Sequence, residues 1–233
     1  MNSTPPAAHA LPSIPQATGI FAVPSPLPFA APDFSRIDDS DYLPALEQGI
    51  AIKLAEIAHI AGNPDAPTFE NTLVAMEHTG RMFARAYAAF GQQTGAHTNP
   101  VLDAADSAIS PQIAAMYDAI YLNPALFARV KTIYDNRAAL NLTGEDAILL
   151  ESTYADFVHR GALLDEAAQS EVRTINARIS SLETEFSQKL TAATKDGALV
   201  ISSVGRGITV TDVNDAPTIA RTDATVTVNE GSL

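Results

Sequence analysis

The feature that most constrains this chain is a run of apolar residues, Ala168, Val172, Ile175, Ile179, Leu182, Phe186 and Leu190, separated by steps of 4, 3, 4, 3, 4 and 4. Steps that mix three and four follow the 3.6-residue turn of an α-helix, whereas a strand would place every second residue on one face. A helix over about 165–194 is therefore predicted. A helix of that length with one apolar stripe needs a long partner to cover it.

The same spacing recurs upstream. Leu43, Leu46, Ile50, Leu54 and Ile57 predict a helix over roughly 40–61. Ser40 or Asp41 can cap it, Asp38, Asp39 and Asp41 favour the positive end of its dipole, and Gly62-Asn63-Pro64 stops it. After Pro67, with Thr68 as cap, Phe69, Leu73, Met76, Gly80, Phe83, Tyr87 and Phe90 predict one continuous helix, with Gly80 where a neighbouring backbone comes close. Asn99-Pro100 and Asn123-Pro124 each set a capping side chain before a Pro at the first helical position, where the missing N–H does no harm.

In the segment 99–121, Ser110-Pro111 predicts a kink or break, with Ile109, Ile113, Met116 and Ile120 facing inward. A helix at about 124–139 follows. Thr143 then starts a cap for a helix that carries Leu150, Tyr154 and Phe157 inward and ends at Gly161. These segments together define an all-α domain over 33–196.

Its flanks differ in character. Residues 1–32 contain no Asp, Glu, Lys or Arg and eight prolines, which makes them an uncharged, Pro-rich arm of extended geometry that lies against the domain. The prolines interrupt every apolar run that a secretory signal would need. Beyond Gly197 the chain becomes a Thr/Val-rich tail over 197–233, with strands predicted at 198–202, 208–211 and 224–228 and a turn at Gly205-Arg206-Gly207.

Composition excludes several functions. The formal charge of −13 argues against a surface that neutralises phosphates, so no nucleic-acid partner is expected. Without Cys there are no disulfides, thiolate metal sites or Cys nucleophiles. No stretch reaches the roughly 18 to 20 apolar residues of a membrane span. The cytoplasm is the expected compartment.

The search for chemistry is mostly negative. His9, His59, His78, His97 and His159 include no pair at helical spacing, and no His-Glu dipeptide exists to begin a metalloprotease helix. The equal spacing of His59, His78 and His97 is compatible with a three-helix metal site, but no carboxylate is fixed beside them, and solvated or hydrogen-bonded histidines are the favoured reading. Glu183 with Glu185, and Asp38 with Asp39, read as solvated helix faces, and Glu185 with Lys189 as an i, i+4 ion pair. Phe69, Phe83, Tyr87, Phe90, Tyr154, Phe157 and Phe186 read as core. No catalytic residue is assigned.

A family resemblance does emerge. Pro28-Phe29-Ala30-Ala31-Pro32-Asp33-Phe34 with Ile37, and Tyr42-Leu43-Pro44-Ala45-Leu46, resemble the opening of bacterial peptidyl-dipeptidases and oligopeptidases related to thimet oligopeptidase and neurolysin. So do Asn63-Pro64 with Pro67-Thr68-Phe69-Glu70-Asn71-Thr72, Ala96-His97-Thr98-Asn99, Ile120 through Val130, Gly161-Ala162-Leu163-Leu164, and Ser187-Gln188-Lys189-Leu190. The similarity covers about 24–200.

The resemblance implies the N-terminal lobe of a largely helical zinc metallopeptidase whose two lobes enclose a channel for oligopeptide substrates. In that family a His-Glu-x-x-His helix and a later Glu bind zinc, which polarises the scissile carbonyl and activates water. No position here matches those residues, so no catalytic or metal residue carries over, no cofactor is expected for this chain alone, and the chain alone is expected to be inactive. Apolar seams that later parts of such an enzyme would cover imply self-association here.

The tail departs from the pattern. Asp212, Asn214 and Asp215, within a segment similar to the junction of bacterial cadherin-like repeats, are calcium candidates, although three oxygen donors fall short of the six to eight a site requires. The alternative function is a non-catalytic helical binding or scaffold module, fused to a surface repeat protein.

Overall fold

The computed structural model describes residues 11–196 together with 208–209, 218–220 and 225–226. Two compact units are distinguished, 1–184 and 185–233. In the first, the order of helices is α1 Tyr42–Ala61, α2 Ala75–Glu77, α3 Arg81–His97, α4 Pro100–Tyr121, α5 Pro124–Asp135, α6 Arg137–Leu140 and α7 Glu145–His159, and α8, Glu166–Asp196, begins there. The all-α lobe expected from the spacing is what forms. In the second unit, β1 Ile208–Thr209, β2 Thr218–Ala220 and β3 Thr225–Val226 make a three-stranded antiparallel sheet in that order, pairing Ile208 with Ile219 and Ile219 with Val226. β1 and β3 fall on Thr/Val alternation, while β2 has no counterpart among the sequence expectations. The strand expected at 198–202 and the turn at 205–207 lie outside the described residues.

α1 is the central element, packed on α3 and α4. Its buried stripe of Tyr42, Leu46, Gly49, Ile50, Ile52, Ala55 and Ile57 is wider than the sequence stripe because the helix is covered on two sides, and Leu43 and Leu54 sit at its margins. Against α3 the backbones nearly touch: a Cβ at Gly49 would stand 2.7 Å from Phe83 Cα. The close approach expected at Gly80 is therefore found at Gly49.

Gly80 has another task. The single helix predicted over 68–90 is two, because after a π-helical stretch at Phe69–Val74 and the one-turn α2 the chain passes through Gly80 at φ 69°, the left-handed region open to a residue without Cβ. Glu56 Oε2 accepts from the Gly80 N–H at 2.7 Å, and the aliphatic chain of Lys53 fills the space where a Cβ would be.

The second correction concerns Pro111, across which α4 runs as one helix from 100 to 121. The interior stripe of Leu102, Ala105, Ile109, Met116 and Ile120 is buried on both sides of the proline, so tertiary packing outweighs the one absent N–H. Two further boundaries shift. The helix expected over 124–139 ends at Asp135, and Asn136 separates it from the single turn of α6. Thr143 does not cap α7, whose N-terminal position is Gly144 at φ 59° with no side-chain cap.

Asp41 stands at the N-terminal position of α1 but makes no side-chain cap there, its Oδ2 accepting instead from the Asp38 N–H, whereas the Asn-Pro and Thr68 start signals form as read. Asn99 Oδ1 accepts from the Val101 and Leu102 N–H groups at 2.9 and 3.2 Å, and Asn123 Oδ1 from those of Ala125 and Leu126, both at 3.0 Å. Thr68 and Asn71 cap each other reciprocally at 3.0 and 2.8 Å.

The arm packs more closely than a peripheral strap would. Phe21 is buried, with its ring 5.7 Å from that of Tyr42, which in turn stands 5.4 Å from Phe90. Arg85 Nη2 donates to the carbonyls of Phe21 and Ala22 at 2.8 and 2.7 Å, Gln48 holds Thr18, and His59 Nε2 donates to Pro12 O at 2.8 Å. Tyr42 Oη is fully buried without a hydrogen-bond partner. Burial raises its pKa, a rise that the nearby Gln93 side chain only partly opposes.

Candidate functional site

The histidines stand apart. His59 is tied to the arm, His78 Nδ1 accepts from Arg81 Nη2 at 2.8 Å, and all four described histidines are exposed on different elements. Among the described residues no three His, Asp or Glu side chains are grouped closely enough to hold a metal ion. The three-helix metal site compatible with His59, His78 and His97 is therefore not assembled. Asp212, Asn214 and Asp215 lie outside the described residues.

The carboxylates singled out in the sequence do structural work. Asp39 Oδ2 accepts from Asn99 Nδ2 at 2.8 Å, the Asp38 N–H donates to Asp41 Oδ2 at 2.9 Å, and Glu185 pairs with Lys189 at 2.6 Å on α8.

The segments that carried the family resemblance converge on one buried cation. Arg129 of α5, 6% exposed, donates to Asn63 O and Asp65 O at 2.9 and 3.0 Å, to Asn71 Oδ1 at 2.8 Å and to Thr72 Oγ1 at 3.3 Å. Its guanidinium thus satisfies the backbone of the Asn-Pro turn and the start of the Phe69–Val74 turn together. A planar fork of five donors suits such a cluster of acceptors. Arg129 is not identifiable as a hub from sequence, because its partners are two backbone carbonyls, an amide oxygen and a hydroxyl 57 to 66 positions away with no local signature.

Three features remain exposed and unabsorbed by the fold. One is a cleft of about 500 Å³ between the arm and α3, walled by Phe21, Val23, Pro24, Ile37 and Ala88 with Arg85 at its edge. Beside it Phe29 is entirely exposed on a turn where it and Ala30 have φ of 60° and 55°. The second is the stripe of α8, where Ile175, Ile179, Leu182, Phe186 and Leu190 are between 43% and 67% exposed. Phe186, which reads as core in the sequence, is instead on the surface. The third is an aromatic and cationic cluster around Tyr87 and Tyr117. Tyr87 also reads as core and is instead 47% exposed, its ring stacked on Phe83 with centroids 5.4 Å apart. Phe69, Phe83, Phe90 and Phe157 are buried as expected, and Tyr154 is half-buried.

The architecture is that of an all-α lobe with structural capping motifs, a packed arm and an uncovered long helix, without a bond-breaking constellation among the described residues. No protein-family model matches the chain. Curated relatives do: it is 39% identical over 186 residues, 80% of its length, to dipeptidyl carboxypeptidase of Escherichia coli strain K12, and 40% identical over 177 residues, 76% of its length, to dipeptidyl carboxypeptidase of Salmonella typhimurium strain LT2. The resemblance read from the motifs is thereby borne out, and the chain is a relative of the peptidyl-dipeptidases. It matches 27% and 26% of the lengths of these two relatives, about a quarter of each.

Proposed function

We propose that this chain serves in oligopeptide hydrolysis as one lobe of a peptidyl-dipeptidase. What carries the reading is the extent of the similarity: four fifths of the chain aligns at 39% identity with a dipeptidyl carboxypeptidase. A helical scaffold unrelated to peptidases, the alternative reading, gains no support from these relatives. The whole enzyme's metal is zinc in this proposal, and the described residues do not fit it, since they supply no group of three ligands. The lobe's contribution is to bind and orient peptide. No helix among the described residues is long and apolar enough to cross a membrane. The cytoplasm is the compartment proposed with this reading, which cell fractionation tests.

Two measurements test the function. Purified chain supplied with zinc is expected to release no dipeptides from an N-blocked oligopeptide, and chelator-sensitive release would overturn the assignment of bond breaking elsewhere. A chimera in which residues 24–196 replace the matched segment of the Escherichia coli relative is expected to release dipeptides. A folded chimera without activity refutes the proposal. We also propose that the chain alone self-associates through the exposed stripe of α8, because an uncovered apolar helix face is the kind of surface that proteins bury.

A further inference from the structure

The cleft between the arm and α3, at about 500 Å³, has the size of a small-molecule site, for which roughly 300–1,000 Å³ is usual. Its backbone has little to offer a polar ligand. Pro24, Pro26 and Pro32 bring no N–H, the N–H groups of Ala22 and Arg36 already donate to Gly19 O and Asp33 O at 3.1 and 3.0 Å, and the carbonyls of Phe21 and Ala22 are taken by Arg85. A peptide laid there would leave amides unpaired, at a cost. The charged residues of the lining are Asp33, Arg36 and Arg85. Asp33 Oδ1 accepts from the Ser35 N–H and hydroxyl at 3.3 and 2.6 Å. Arg85 is anchored through Nε and Nη2, so its Nη1 has no acceptor among the described residues, and the Arg36 side chain, at an exposed position, has none among them either. Two guanidiniums with open donors thus stand on an apolar cleft, in a chain whose formal charge is −13.

We infer that this cleft binds a medium-chain alkyl carboxylate, with the chain against Val23, Ile37 and Ala88 and the headgroup on Arg36 and Arg85. An alkyl chain asks nothing of such walls except removal from water, and each methylene buried strengthens binding about fourfold. The carboxylate accepts charge-assisted hydrogen bonds from the two guanidiniums, which outnumber the opposing Asp33. The same excess disfavours an alkylammonium, and the formal charge of −13 disfavours a polyanion over a ligand with a single negative charge. The inference uses neither the relatives nor any turnover, so it stands apart from the peptidase reading.

The test is titration of the isotope-labelled full chain, followed by NMR, with octanoate, hexanoate, octanamide and N-acetyl-leucyl-leucine. Octanoate is expected to bind with shifts centred on Val23, Ile37 and Ala88. Hexanoate, two methylenes shorter, and octanamide, which lacks the charge, should each bind about tenfold more weakly, and the blocked dipeptide more weakly than octanoate. Ala88→Phe, which fills the cleft from an exposed position on α3, should abolish binding of octanoate. Arg36→Gln should weaken octanoate by about tenfold and leave octanamide unchanged. Both positions are exposed, so the helical circular dichroism spectrum should not change, and Arg36→Gln keeps the test intact even if Ala88→Phe disturbs the arm. No binding of octanoate, equal binding of octanoate and octanamide, indifference to Ala88→Phe or to Arg36→Gln, or tighter binding of the blocked dipeptide overturns the site.

Discussion

Replacing Gly49 by Ala tests the central packing of the lobe, because two opposed effects can be set against each other there. In a helix interior Ala is favoured over Gly by about 0.5–1 kcal/mol. The added methyl at Gly49, however, would meet Phe83 Cα at 2.7 Å, N at 2.8 Å and Cβ at 2.9 Å. Two of these atoms are backbone, so no rotamer change relieves the clash and α1 must move away from α3. Overpacking costs typically 1–3 kcal/mol, and a backbone collision belongs at the upper end, which leaves a net loss of about 1–2 kcal/mol. For a lobe of this size that lowers Tm by about 2–8 °C. The controls are internal: Gly91 and Gly95 on α3 have nothing within 4 Å of where a Cβ would stand and no positive φ, so Ala at either should leave Tm unchanged or raise it. Thermal melts by circular dichroism at about 222 nm, the helical band, measure all three. A Gly49→Ala protein as stable as the parent would refute the close helix contact.

Arg129→Met should destabilise the lobe by about 2–4 kcal/mol in urea titration, because four acceptors lose a charged donor in a nearly closed site; a loss under about 1 kcal/mol would show that they find other donors. Burial, with a smaller push from Asp103, raises the pKa of Asp106 above 3.8 against the hydrogen bond from Ser110, so its carboxyl group favours the fold when protonated and that contribution is lost as pH rises through the folded value. Asp106→Asn should therefore raise Tm at neutral pH, with the gain vanishing as pH falls towards 3.8, and a gain of equal size at both pH values would contradict the sign. Sedimentation velocity at micromolar concentration should show oligomers of the parent chain, and Ile179→Glu with Leu182→Glu should return it to monomer; a parent that is already monomeric would count against the exposed stripe as an interface.

Helix starts are legible because each is a local matter. Asn99, Asn123 and Thr68 satisfy N–H groups two or three residues on, and the side chain that does so is written in the sequence beside the proline or apolar run it serves. The break at Gly80 and the continuity through Pro111 are not legible, since each is decided by what lies across the interface: Lys53 and Glu56 hold the turn at Gly80, while burial of Ile109 and Met116 spans the proline. Tyr87 shows the same limit on the side of the site. Its place in the 4-3 spacing fits a core stripe, but the stripe of α3 buries Met82, Phe83, Ala86, Ala89 and Phe90, and Tyr87 falls just beyond its edge. Lys53 of α1, Tyr117 and Tyr121 of α4 and Arg160 just past α7 likewise share no motif.

The motifs most diagnostic of the family are thus fasteners of the lobe. Asn63, Asn71 and Thr72 are gathered by Arg129, Asn99 joins α4 to Asp39, and Gly161 takes the φ of 100° that ends α7, with Leu164 packed where its Cβ would stand. Similarity at these positions reports that the lobe is built in the same way, because each residue answers a requirement of backbone geometry or buried polarity. Arg160, by contrast, is exposed just past the end of α7 with its guanidinium over the Tyr121 ring, so Arg160→Gln should leave the melt nearly unchanged, the reverse of the behaviour expected at Arg129 or Gly49.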